Sequence, residues 1–202
     1  MGTLSQAKTL GGVGAILVLL TAIPSVGWIL GIAGFVMILV GVSYISQAVG
    51  DRKIYNNMII SVLLAIAAVA VGTVTVIGTV FRVLGMGTFV GPDFVLSPNI
   101  AVGDWIGLAG AVIAGLVVVW GLLIASAVFL RNSFNSISHR LNINMFSIAG
   151  LLYLIGAATA IIGVGFLLIF VAEILLAVSF FSIGEEQKIP GPSQAHGIPA
   201  SP

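Results

Sequence analysis

The sequence of 202 residues contains no cysteine and few charged residues, and both absences restrict what the chain can be. Without cysteine there is no disulfide, no cysteine-ligated metal, no thiol nucleophile and no site for S-acylation. Charged residues make up 6% of the chain, whereas a soluble domain carries about 25%. Such a fold cannot cover its surface with polar groups, so we expect lipid to be its solvent. The formal net charge of +1 excludes a strong field directed at nucleic acid.

Hydrophobic residues make up 59% of the chain and form two very long uncharged or nearly uncharged runs. One crossing of a hydrocarbon core about 30 Å thick takes about 20 residues. The runs at 9–50 and 145–184 are each about twice that length, so each must fold back on itself. Pro24 and Ser25 are the natural turn in the first run, because proline disrupts a helix interior and serine favours turns. The second run is expected to turn within 161–165.

We therefore predict an all-α, polytopic integral membrane protein with six transmembrane helices arranged as three hairpins. The helices are expected at roughly 5–23, 26–48, 57–84, 104–130, 143–161 and 164–183. The first is interpreted as a retained helix, because no small-x-small cleavage site of a signal peptide follows it. Residues 1–184 would form the transmembrane domain, and 185–202 a Pro-rich cytoplasmic tail that is disordered by itself.

Three polar stretches are expected to connect the hairpins or their helices. The first is the patch at 50–53. The second, 85–103, is rich in glycine and proline, and Asp104 after it is placed as the N-cap of the fourth helix. In the third, 131–144, one helical face carries the three apolar residues Phe134, Ile137 and Leu141. This pattern is typical of a segment lying on the membrane surface. A simple polar loop is an equally good interpretation.

The cations of the sequence fall almost entirely on one side of this six-helix arrangement. That side carries Lys8, Arg52, Lys53, Arg131, Arg140 and Lys188. Only Arg82 falls toward the other side. Because cytoplasmic loops carry an excess of lysine and arginine, we expect a cell-membrane protein with both termini in the cytoplasm and 85–103 outside.

An internal repeat relates the first and third hairpins. Residues 11–46 align without a gap with 147–182. The identical pairs are Gly14/Gly150, Ala22/Ala158, Gly27/Gly163, Ile38/Ile174, Leu39/Leu175, Val42/Val178, Ser43/Ser179 and Ser46/Ser182. Chance matching among a few abundant apolar residue types is the alternative. A true repeat separated by an even number of helices would be parallel, with its axis near the membrane normal.

Three apolar stretches resemble a known family. They are the opening segment Leu4–Gly14, the stretch Val42–Ser46, and Gly163–Leu175. They resemble archaeal and bacterial multi-pass membrane proteins that are catalogued only as a domain of unknown function. The resemblance covers nearly the whole membrane part and implies a membrane location and a prokaryotic source, with an archaeon expected. It supplies no ligand, activity or catalytic residue.

Glu173 is the strongest candidate for a functional residue. It lies near the middle of the sixth predicted helix, in the position that Met37 occupies in the first copy of the repeat. A charged side chain at the bilayer centre costs roughly 2.5–3.5 kcal/mol on insertion scales. Tyr153 is expected at the same depth, where its phenol can hydrogen-bond the carboxyl group, and Trp120 lies at a similar depth. The alternatives are a proton or cation site and a purely structural interhelical hydrogen bond or contact to a partner subunit.

The remaining polar residues suggest no chemistry. Arg82 is expected to extend toward lipid headgroups, with a salt bridge to Asp93 or Asp104 as the lesser alternative. His139 and His196 are isolated and lack companions at metal-ligand spacing. We expect no enzyme activity, no cofactor and no metal, because no nucleophile–base pair, carboxylate pair or phosphate loop is present.

Small residues recur four apart on several predicted helices, which lets helices approach closely in lipid. The pairs are Gly27/Gly31, Ala68/Gly72, Gly103/Gly107, Ala111/Gly115 and Gly121/Ala125. We therefore expect a non-catalytic integral membrane subunit or scaffold, an accessory component of a larger membrane complex. Its partners would be the lipid bilayer and other membrane subunits or further copies of itself. The alternative is a small transporter or channel with a proton or cation site at Glu173.

Overall fold

The computed structural model describes residues 4–83 and 102–184, and these residues form six α-helices. The helices are α1 (Leu4–Leu19), α2 (Gly27–Val49), α3 (Arg52–Val83), α4 (Val102–Leu141), α5 (Asn144–Thr159) and α6 (Val164–Phe181). Two short 3₁₀ turns, Leu20–Ala22 and Ala160–Ile162, extend α1 and α5. The all-α prediction is confirmed. The predicted outside loop and the predicted tail lie outside the described residues, apart from the first residues of α4.

Five of the described helices, α2 to α6, are long and apolar enough to cross a membrane. The remaining helix, α1, is apolar but has 16 residues. Many large apolar side chains are exposed along these helices; Ile106 and Val74, for example, are 72% and 71% exposed. In water such a surface would be unfavourable, whereas in hydrocarbon it costs nothing. The fold therefore indicates association with a membrane.

The predicted turns coincide with residues of positive φ. Ser25 has a φ of 73° in the connection between α1 and α2, and Gly163 has a φ of 81° directly before α6. The Gly27 amide then donates to the Ile23 carbonyl at 2.9 Å, which starts α2. Glycine takes this left-handed conformation without steric cost. The chain thus turns after α1 at Pro24–Ser25 and after α5 within 161–165, as the sequence predicted.

Two other connections are Schellman motifs, in which a left-handed residue closes the helix end. Gly50 follows α2 with a φ of 68°, and the Asp51 amide donates to the Ser46 carbonyl at 3.1 Å. Asn142 follows α4 with a φ of 54°, and the Ile143 amide donates to the Ser138 carbonyl oxygen at 3.1 Å. Both motifs satisfy backbone carbonyls that the helix leaves unpaired.

The prediction for 131–144 was wrong, because these residues are neither a separate surface segment nor a loop. They continue α4 without interruption as far as Leu141. No proline or glycine lies between Gly121 and Leu141, so nothing in the sequence ends the helix. The apolar face was identified correctly, since Phe134, Ile137 and Leu141 are at most 1% exposed. That face packs inside the protein.

The beginnings of α3 and α4 also differ from the predicted ones. α3 begins at Arg52 rather than near 57, because the Asp51 carboxylate accepts the Lys53 amide at 3.1 Å and caps the helix. α4 begins at Val102, so Asp104 lies within the helix and is not its N-cap. The polar patch at 50–53 is thus mainly the first turn of a helix.

The described residues divide into two compact units. The first unit holds 4–55, 134–149 and 173–184. In it α1 packs against α2 at glycines: a Cβ on Gly14 would lie 2.6 Å from the Gly34 carbonyl oxygen. Phe180 of α6 lies against Gly11 and makes an edge-on contact with Phe146, with ring centroids 5.1 Å apart. Gly14 is required because the two helix backbones approach too closely for a side chain, and Gly11 because the Phe180 ring occupies the space of a Cβ.

The second unit holds 56–133 and 150–172, of which 84–101 lie outside the described residues. In it α3 and α4 are joined by the buried hydroxyl pair Ser61 and Ser126, whose oxygens are 3.0 Å apart. The Ser126 hydroxyl also lies 2.9 Å from the Ser61 carbonyl oxygen, within hydrogen-bonding distance. α5 and α6 meet at Gly156 and Gly165, where an added Cβ would overlap backbone atoms.

We predict that Gly14→Ala lowers the stability of the protein by about 1–3 kcal/mol, because the new methyl group would overlap the α2 backbone. The measurement is the thermal unfolding midpoint in detergent, followed by circular dichroism. Gly78→Ala is the matched control: a Cβ there meets nothing within 4 Å, so the midpoint should stay or rise slightly. Equal midpoints for the two variants would contradict the observed packing of α1 on α2.

Candidate functional site

Glu173 is a buried carboxyl group on α6. Its residue is 8% exposed, and its Oε2 has no hydrogen-bond partner among the described residues. Leu176, Ala177 and Phe180 follow at helical spacing on the same face and are also buried. Glu173 therefore lies on the packed side of α6. A carboxyl oxygen in such surroundings can hold a proton or receive a hydrogen-bond donor, and it is costly if it does neither.

The predicted partners of Glu173 lie in the second unit. Tyr153 is half-buried on α5, and its predicted hydrogen bond to Glu173, which belongs to the first unit, stays a prediction. Trp120 of α4 donates its indole N–H to the Ala157 carbonyl oxygen at 3.2 Å. This bond satisfies the polar end of a large side chain and joins α4 to α5.

The other candidate residues do not form a site in the described part of the chain. Arg82 is exposed in the last turn of α3, which is the position expected for a cation that extends toward headgroups. Its suggested partner Asp93 and the second histidine, His196, lie outside the described residues. His139 is exposed in the last turn of α4. Within 4–83 and 102–184, no three metal-ligating side chains come together.

Sequence reasoning missed an ion pair that fixes the connection between α2 and α3. The Arg140 Nη2 and Nε atoms lie 3.0 and 3.3 Å from Asp51 Oδ2, while Asp51 Oδ1 caps α3. The Asp51 side chain is 17% exposed and the Arg140 side chain 56%. The Ser46 hydroxyl donates to the Asp51 carbonyl oxygen at 2.8 Å. One carboxylate thus fastens the end of α4 to the start of α3.

Part of this arrangement could have been found in the sequence. Asp51 follows the glycine that ends α2, and aspartate is a preferred N-cap residue, so the start of α3 at Arg52 was recognisable. Its pairing with Arg140 was not, because 89 positions separate the two residues. Nothing in the local pattern around Arg140 distinguishes it from the neighbouring Arg131.

The described residues form an all-helical protein whose apolar helices suit a membrane, with one buried carboxyl group on α6. Residues 30–174 match a family described as "Protein of unknown function (DUF996)". An uncharacterized protein of Methanocaldococcus jannaschii, MJ1644, is 32% identical over 185 residues, which cover 92% of this chain and 96% of the relative. No solved structure matches. The chain belongs to the DUF996 family, which confirms the resemblance found in the sequence.

We predict that Glu173→Met raises the thermal unfolding midpoint in detergent. The substitution removes a buried oxygen without a partner, whose burial costs roughly 1–3 kcal/mol, and methionine fills a similar volume. Methionine also stands at the matching position of the first hairpin, Met37. Leu176→Met is the control for changed packing on the same buried face and should lower the midpoint slightly. A large loss of stability in Glu173→Met would show instead that the carboxyl group makes stabilising contacts.

Proposed function

We propose that this protein is a non-catalytic integral membrane subunit or scaffold, an accessory component of a larger membrane complex. The proposal includes a cell-membrane location, six crossings in three hairpins, and both termini in the cytoplasm. α1 supports a sixth crossing: 16 helical residues and the following three-residue 3₁₀ turn span about 30 Å together. The positions of Lys8, Arg52, Lys53 and Arg140 support the orientation.

The parallel repeat belongs to the same proposal. Gly27, the first residue of α2, aligns with Gly163, and α6 begins one residue later at Val164. The preceding 3₁₀ turns, Leu20–Ala22 and Ala160–Ile162, are offset by four residues in this alignment. The two hairpins therefore match closely where their second helices begin and less closely where their first helices end. The first match supports a common origin of the two hairpins.

The observation that carries the proposal is a face of exposed small residues on α4. Gly107, Gly110, Ala114 and Gly121 are all exposed, and they lie within about 60° of one another around the helix. A Cβ added to any of the three glycines would meet nothing within 4 Å. We call these four residues the small-residue face of α4.

Other glycines of the described helices pack closely against neighbouring helices. A Cβ on Gly115, also on α4, would lie 2.6 Å from the Thr75 side chain, and one on Gly34 would lie 2.5 Å from the Gly14 carbonyl oxygen. Those glycines are needed within the chain. The glycines of the small-residue face have no such role among residues 4–83 and 102–184.

A helix-interior glycine without a packing role is unfavourable. It destabilises a helix by roughly 0.5–1 kcal/mol relative to alanine. In lipid, small residues on one face let a second helix approach closely enough for dispersion contacts and weak hydrogen bonds. The small-residue face of α4 therefore suits a transmembrane helix of a partner subunit or of a second copy.

Two alanine-to-leucine substitutions on α4 test the proposal. Ala114 lies on the small-residue face, and Ala109 is exposed about 140° away around the same helix. Ala114→Leu should separate the helices and weaken the complex by roughly tenfold. Ala109→Leu adds the same bulk toward lipid and should change the association by less than twofold.

The measurement is native mass spectrometry of the complex after gentle extraction from the membranes of the source cells. The proposal predicts a defined assembly for the wild type and for Ala109→Leu, and a clearly larger share of free monomer for Ala114→Leu. A wild-type protein extracted as a lone, monodisperse monomer would contradict it. Equal effects of the two substitutions would show that the partner helix does not bind the small-residue face of α4.

The alternative function is a small transporter or channel, for which the motives are the parallel repeat and the buried carboxyl of Glu173. Transport requires a route by which water or a solute reaches that carboxyl group. Glu173 lies on the packed side of α6, with Oε2 buried. An open groove of about 410 Å³ lies between α3 and α4, and residues such as Val69, Ile77 and Leu123 make its lining largely apolar. The residues that line this groove do not include Glu173, so the groove adds no support for transport, which stays the second candidate.

A further inference from the structure

We propose that Arg52, Lys53 and Arg140 form a binding site for the phosphate of an anionic phospholipid headgroup. We call these three residues the basic cluster. All three are exposed, and all belong to the first unit. The proposal depends on the helices lying in a bilayer. It does not depend on the accessory-subunit role, so either can fail without the other.

Asp51 brings the three cations together. Arg52 and Lys53 follow it directly in the chain, and the Arg140 guanidinium lies 3.0 Å from its Oδ2 atom. Both carboxylate oxygens are already engaged, Oδ2 by Arg140 and Oδ1 by the backbone amide of Lys53. In the described part of the first unit the only other acid is Glu173, which is buried. Arg140 is thus paired with Asp51, and the positive charges of Arg52 and Lys53, next to Asp51 in the chain, remain in excess.

The cluster is also held in place. Asp51 is 17% exposed, and it is fixed by the left-handed turn at Gly50 and by the Ser46 hydroxyl. Because Asp51 uses one oxygen for two Arg140 nitrogens, the guanidinium is oriented while the side chain stays 56% exposed. A fixed guanidinium loses less conformational entropy on binding a phosphate than a free one does.

The surroundings of the cluster favour a lipid over a soluble anion. It lies where α2 ends, after 23 helical residues with exposed apolar side chains such as Ile32 and Val36. Tyr44 in the last turns of α2 and Tyr55 in the first turn of α3 are half-buried on either side of it. Tyrosine is enriched at the level of lipid headgroups, so these residues place the cluster at the depth where lipid phosphates would lie.

The test uses the full-length protein in detergent and native mass spectrometry to measure lipid binding. Phosphatidylglycerol is the anionic probe, phosphatidylcholine the zwitterionic probe, and glycerol phosphate the soluble source of the same chemistry. We expect phosphatidylglycerol to bind more tightly than phosphatidylcholine, and millimolar glycerol phosphate not to displace it. Equal binding of the two lipids, or displacement by glycerol phosphate, would overturn the assignment to an anionic lipid.

The decisive variant is Arg52→Gln combined with Lys53→Gln, which leaves the Asp51–Arg140 pair intact. Since each cation near an anionic membrane surface contributes about a fivefold gain in affinity, binding should weaken about 30-fold. Arg82→Gln with Arg131→Gln removes the same charge at two exposed positions of the second unit and should weaken binding less than threefold. Equal weakening by both pairs would show diffuse attraction and overturn the site.

A charge-conserving variant guards against misfolding as the cause of any loss. Arg52→Lys with Lys53→Arg keeps both cations and should bind phosphatidylglycerol within threefold of the wild type. If this exchange binds as weakly as the glutamine pair, the loss reflects disturbed folding at the start of α3, and the basic cluster is not a headgroup site.

Discussion

A backbone polar group that lies in hydrocarbon must find its partner inside the protein, because lipid tails offer none. Hydrocarbon provides no hydrogen bonds, so a lipid-facing segment has to be helical, and its ends have to be closed. The helix ends of the described residues follow this constraint closely. α1 and α5 tighten into 3₁₀ turns, and α2 and α4 end in Schellman motifs at Gly50 and Asn142.

The same constraint explains how helices associate here. Because lipid tails are as apolar as the side chains, burial of hydrophobic surface does not drive helices together, and close backbone approach takes its place. Gly14 against Gly34 and Gly156 against Gly165 are such approaches. Specific polar contacts add to this packing, such as the Ser61–Ser126 pair and the Trp120–Ala157 bond in one unit and the Asp51–Arg140 pair in the other. The exposed glycines of α4 stand apart because no helix of the described chain covers them.

The helical class and the turn positions were predictable because both follow from composition and length. A run of about 40 apolar residues is too long for one crossing, and Pro24–Ser25 and Gly163 are residues that allow a reversal. The extent of α4 was not predicted, because the Ser- and Asn-rich stretch after Arg131 suggested a loop. The helix continues there because Phe134, Ile137 and Leu141 pack into the first unit, and tertiary packing outweighs local polarity.

The candidate site was predictable only in part. Glu173 was identified from sequence as an acid within an apolar run, and the structure buries it on the packed face of α6. The pairing of Asp51 with Arg140 depends on how α4 returns to the start of α3, which no local pattern encodes. The basic cluster therefore became recognisable only once that pair was known.

The most direct test of the account is the side of the membrane on which each turn lies. The absence of cysteine makes the chain a clean background for single-cysteine labelling. Val26→Cys and Ile161→Cys should react with a membrane-impermeant maleimide added to intact cells, whereas Gln47→Cys and Asn144→Cys should react only after the membrane is opened. Labelling of all four from outside, or protection of one of the first two with exposure of the other, would contradict the six-crossing arrangement.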